Sequence, residues 1–232
     1  MSEIRVENII GETGTDAVKF TKGINATGIV TATSFAGSGA ALTGISAGNT
    51  NAMQVLEEFF VPCDGTAVTT SQGSVAITNV TTNQLLTASL VTVTGSEISY
   101  QPPANTKIVV YSFEFGITYQ DSNHISGFQL QLDGVAVGKR LFTFRGRDNS
   151  YNMQHYSHGF RIESGVGADP DVGRVQSWNS AKTIRILARY WSNSFEASLH
   201  KFGEGFHNTD ANNLDNNVFC MPCVGIKAIG SV

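Results

Sequence analysis

Residues Gly23 to Leu56 run for 34 positions without an Asp, Glu, Lys or Arg, yet the stretch is too polar to be a membrane span. Its centre, Asn25 to Ile45, is mostly Ala, Gly, Thr, Ser and Asn, with Ile29, Val30, Phe35, Leu42 and Ile45 as isolated apolar residues. A single chain of this kind cannot bury enough apolar surface to offset the backbone entropy of ordering it, about 1–2 kcal/mol per residue. Identical chains wrapped together can, because small side chains let backbones approach closely. The segment therefore reads as a shared stalk or an anchor, and it favours a structural protein over an enzyme.

The pattern changes near residue 53. Val109, Tyr111, Phe113, Phe115 and Ile117 alternate with Val110, Ser112, Glu114 and Gly116, the period of two of a half-buried strand. Phe128, Leu130 and Leu132 alternate in the same way, and Asp133-Gly134 is a hairpin signal before Val135 and Val137. Ile184, Ile186, Ala188 and Tyr190 make another alternating run. Further strands are predicted over 74–80, 85–93, 141–145, 158–162, 195–201 and 218–229, and only 51–59 offers a helix, a short one. Many short strands with no alternating helices predict an all-β chain: an extended N-terminal anchor and stem over 1–52, then an antiparallel jelly-roll sandwich over 53–232.

Charged residues make up 15% of the chain against roughly 25% in ordinary domains, as expected where neighbouring chains cover part of the surface. Net charge is −4 and basic residues are not clustered, which speaks against nucleic acid as a partner. No run approaches the length of a transmembrane helix, so no membrane insertion is expected. No secretory signal is visible at the N-terminus, and Cys63, Cys220 and Cys223 are too few for a disulfide framework. Both point to assembly in a reducing cytoplasm.

The sequence offers several fragments of chemistry, none complete. Gly39 to Ser46 has the glycine spacing of a phosphate loop, but Ile45 stands where the lysine must be. Cys220-Met-Pro-Cys223 has knuckle spacing without a second pair, and it sits in an apolar strand, where cysteine packs as a small hydrophobe. His155 and His158 would point to opposite faces of a strand, so they do not make a metal pair. The acidic stretches at Asp169/Asp171 and 210–217 lack the glycine and closing glutamate of a calcium loop. No catalytic residue, metal site or cofactor is therefore expected. The richest surface chemistry lies around Arg145 to His158, read as a loop region. Tyr151, His155 and Tyr156 there, with Trp178 and Trp191 elsewhere, are candidate sugar-stacking faces, and Arg145 is a candidate hydroxyl partner.

Gly23 to Ile45 resembles a motif widespread in structural proteins of marine tailed phages, particularly cyanophages, and matches it at most positions. Ser38 replaces a usual Asp and Ala40 a usual Ser. In that family the motif lies in N-terminal stems of fibres and related virion proteins. A second resemblance covers Thr183 to Trp191, Ala197 to His200 and a last strand after Pro222, whose layout is similar to the end of trimeric jelly-roll heads of the tumour-necrosis-factor-like kind. There the final strand, here Val224 to Ile229, runs near the three-fold axis. The resemblances imply a homotrimeric virion fibre assembled in a bacterial host. Ile24, Ile29, Val30, Phe35, Leu42 and Ile45 would pack in the stem, the N-terminus would meet tail or capsid proteins, and the head would contact a host surface glycan. The competing readings are a capsid or tail cement protein and a glycan-cleaving tailspike.

Overall fold

The computed structural model describes residue 27 and residues 53–119, 124–146, 150–190, 197–201 and 219–231. The stem residues Ile24, Ile29, Val30, Phe35, Leu42 and Ile45 lie outside these, as does Trp191. The described residues form 14 strands: β1 (Gln54–Pro62), β2 (Val68–Thr70), β3 (Gly73–Val75), β4 (Gln84–Leu85), β5 (Val91–Thr92), β6 (Ile98–Tyr100), β7 (Thr106–Tyr119), β8 (His124–Leu132), β9 (Val135–Gly146), β10 (Ser150–Ile162), β11 (Arg174–Val175), β12 (Lys182–Tyr190), β13 (Ala197–Leu199) and β14 (Cys223–Gly230). The chain is all-β as expected, and every strand pair is antiparallel except the two-residue pairing of β10 with β11.

One sheet runs β1-β14-β7-β10-β11, with β13 and β4 attached at one end of β7. A second runs β5-β12-β8-β9, with β6 also on β12, and β2 and β3 pair as a small third sheet. The pairings nest: β1 with β14, β5 and β6 with β12, β7 with β10, and β8 with β9. The alternation of β7 sets the inner side, where Val109, Tyr111, Phe113, Phe115 and Ile117 are wholly buried. Aromatic rings then cross between the sheets. Phe115 meets Phe128 at 5.6 Å, Phe128 stacks on Phe142 at 4.8 Å, and Phe142 stacks on Tyr156 at 4.9 Å. Such pairs add about 0.5–1.5 kcal/mol each beyond the area they bury.

Three sequence expectations are corrected. The short helix over 51–59 is not formed from Gln54 onward, because β1 hydrogen-bonds along β14 and turns Phe59 and Val61 onto the core. Residues 150–158 are not loop but the first part of β10, held by a ladder to β7 that runs from Ser150 to Arg161. Trp178 is not a surface platform. It is 3% exposed, its Nε1–H donates to the Tyr100 carbonyl at 2.9 Å, and its ring lies edge-on to Phe160.

The hairpin read at Asp133-Gly134 joins β8 to β9, with φ of 49° and 80° at its two residues. These are the left-handed values of a type I′ turn. A Cβ at Gly134 would meet nothing within 4 Å, so a substitution there acts through the backbone alone. Gly134→Ala is expected to cost about 1–2 kcal/mol, read as a lower urea midpoint at an unchanged slope.

Candidate interaction face and edge cleft

The strand alternation sorts the sequence-selected residues instead of gathering them. On β10, Tyr156 pairs with Phe113 and His155 with Glu114, so the first turns inward and the second outward. The backbones of Arg145 and Tyr151 lie on β9 and β10, but their side chains are outside the described set. With Trp178 buried and Trp191 undescribed, these residues do not converge on one surface among the described residues.

His155 belongs to the outer face of the sheet β1-β14-β7-β10. Its Nδ1 lies 3.5 Å from a Glu114 carboxylate oxygen. The register aligns Phe60, Gly225, Ser112 and Ser157 in one row across the four strands. Three of these are small, so the Phe60 ring lies down on Gly225, where a Cβ would come within 2.6 Å of it. Phe60 nevertheless stays 48% exposed, and Val55, Met153 and Met221 are exposed as well. On this face Lys227 Nζ meets Glu58 at 2.7 Å, beside the His155–Glu114 contact. A groove of about 400 Å³ runs over it past Phe60, Ser112, His155 and Lys227.

A second depression opens at the edge, between β9 and β10, one strand from each sheet. It holds about 290 Å³ and is lined by Arg140, Leu141, Phe142, Gln154, His155 and Tyr156. Arg140 donates from Nε to His158 Nδ1 at 3.0 Å and from an Nη to the Ser157 carbonyl at 3.2 Å. Burial pushes the Tyr156 hydroxyl up to about 12, against the pull of the Arg140 charge beside it. It therefore stays a neutral phenol, with its oxygen wholly buried beside the Arg140 guanidinium. Burial and then the Arg140 charge push His158 down to about 4, so its imidazole is neutral and accepts from Arg140. Phe142, Gln154 and Phe60 escape a sequence reading, because only pairing across β8–β9, β7–β10 and β1–β14 shows which side of the sheet each occupies, and Arg140 escapes it because its partners lie on β10.

The cysteines behave as packing groups. All three are free thiols. Burial pushes Cys63 up to about 12, and burial followed by the Glu114 charge raises Cys220 and Cys223. Metal binding and nucleophilic attack both need the thiolate, which these surroundings disfavour. Among the described residues no group of three or more His, Cys, Asp or Glu side chains converges on a metal position. Asp169 caps a short turn, its Oδ1 accepting from the Asp171 amide, and its other oxygen faces Arg174. Asp210 to Asn217 lies outside the described residues, as does the phosphate-loop-like Gly39 to Ser46. Among the described residues no helix is long and apolar enough to cross a membrane.

No protein-family model and no curated protein matches this chain. Among solved structures it is similar to a chain of the infectious bursal disease virus Gx strain, at 10% identity and a TM-score of 0.23, over 70% of this chain and 44% of that one. The chain thus spans less than half the length of that structure's chain. A likeness at this TM-score supports neither a fold assignment nor a function.

Proposed function

We propose that the protein is a non-catalytic structural component of a tailed-phage virion. In this reading it is a short homotrimeric fibre, anchored through residues 1–52, whose C-terminal jelly-roll head contacts envelope glycans of the host. The nested strand pairing supports a jelly roll, the double-sheet architecture that such heads use. The charge-free N-terminal segment, too poor in apolar residues to order alone, supports a shared stem.

The observation that carries the reading is the outer face of β1-β14-β7-β10. Phe60 sits half-exposed on a row of small residues, with the Lys227–Glu58 ion pair beside it. In this reading the same face of two further copies covers it, with β14 nearest the axis. Light scattering at micromolar concentration is expected to return three times the chain mass. Phe60→Lys, which sets a charge at the β1 end of the row, is expected to return the mass of one chain without loss of β-sheet circular dichroism. A wild-type monomer would refute the trimer. Antibody labelling of intact particles tests the location. A projecting head fits a fibre, whereas a head pressed between capsid or tail subunits means a cement protein.

A further inference from the structure

The edge cleft between β9 and β10 has a recognition chemistry of its own. Arg161, Arg174, Lys182, Arg185 and Lys227 each face a carboxylate. Arg140 faces none among the described residues, and its two hydrogen bonds go to a neutral imidazole and a backbone carbonyl. A guanidinium has five N–H donors in a planar fork suited to a carboxylate, so most of this fork is unspent. The Tyr156 hydroxyl lies beside this guanidinium with its oxygen wholly buried.

The rest of the lining completes the picture. Phe142 and Tyr156, stacked at 4.9 Å and each only partly buried, give the cleft an aromatic wall. Gln154 adds an amide along one side. One cation, an aromatic edge and a neutral amide match a ring that has C–H surface, hydroxyls and a single negative charge. The volume admits a unit of that size and not a large ligand. A polyphosphate would require several cations, and among the described residues the lining holds one guanidinium.

We propose that this cleft binds the carboxylate-bearing sugar of an acidic polysaccharide, with Arg140 holding the carboxylate, Gln154 a hydroxyl, and the exposed edges of the Phe142–Tyr156 stack the C–H surface. The choice of a saccharide rests on the envelope-contact reading above; the site and the requirement for negative charge rest on the cleft. The site is shallow, so each contact is weak and many copies on one particle supply the avidity.

The test uses the full-length protein and calorimetric titration with trigalacturonate and with its carboxyl-reduced neutral counterpart. Wild type is expected to bind the acid about tenfold or more tightly than the neutral sugar, a difference of about 1.4 kcal/mol or more. Arg140→Gln should erase that preference, and Gln154→Ala should weaken both sugars several-fold. Leu141 is 60% exposed at the cleft mouth, so Leu141→Trp does not threaten folding and should block both sugars even if the Arg140 variant proves unstable. Equal binding of the two sugars, or no binding of either, overturns the acidic-sugar assignment. Acid binding that neither Arg140→Gln nor Leu141→Trp changes overturns the site. The envelope-contact reading fails on a separate result, a head found buried between virion subunits.

Discussion

Phe115→Ala is expected to remove about 3–5 kcal/mol of stability, a large share of the 5–15 kcal/mol that holds a typical domain together. Phe115 is wholly buried on β7, stacks near Phe113 at 5.3 Å and reaches Phe128 of the opposite sheet at 5.6 Å. Truncation loses the transfer energy of the ring. It also leaves a void whose walls cannot collapse, because strand pairing fixes β7 on one side and β8 on the other. Urea unfolding followed through the buried Trp178 reads the effect as a large drop in midpoint. The control is Leu141→Ala on the exposed surface, expected to change stability by less than about 0.5 kcal/mol. If Phe115→Ala unfolds with the wild type, the two sheets do not meet through this ring.

The second large effect is with acid. His158 and His200 are both buried, and both are pushed down to about 4, His158 by burial and Arg140, His200 by burial. An unfolded histidine titrates near 6.5. Between these values the unfolded chain binds protons that the folded chain refuses, so stability falls as pH drops through the window. Each histidine contributes a slope of about 1.4 kcal/mol per pH unit, and above roughly 6.5 neither contributes. The melting temperature is expected to be level between pH 7 and 8 and to fall steeply from 6.5 towards 4. Asp133 does not blur this window. Burial alone would raise its carboxyl, but Lys182 and the Thr183 amide outweigh that and hold it below its ordinary 3.8. His158→Gln should remove about half of the slope in the acid window. A variant with the wild-type slope would show that His158 titrates freely in the folded protein.

What could be read from the sequence follows from how local each determinant is. The β7 strand was legible because its apolar residues alternate without a break, and the Asp133-Gly134 turn because two adjacent residues specify it. The first half of β10 was not legible. Asn152, Gln154 and His155 carry no strand signal, and the segment is a strand because β7, more than thirty positions earlier, supplies a matching ladder. Trp178, among Gln176, Ser177 and Asn179, reads as surface, and only the approach of Tyr100 and Phe160 from distant strands makes it core. The same limit governs the candidate sites. His155 and Tyr156 attract attention as neighbours in the chain, but adjacent positions on a strand face opposite ways. Arg140 becomes notable only once the fold sets it against His158 and the Ser157 carbonyl, with no carboxylate facing it among the described residues.

The nested ladder also sets a timetable. β1 lies against β14, and about 160 residues of chain separate Pro62 from the Cys223 it pairs with. At ribosomal speeds of about 5–20 residues per second, β1 waits roughly 10–30 s for that partner. During this wait β7, the most apolar strand, lacks its neighbour β14 as well. Folding from distant pairings is slow, and open strand edges in the unfinished chain invite association with other chains. Yield during synthesis should therefore depend more on temperature and on chaperone supply than the stability of the finished protein would suggest.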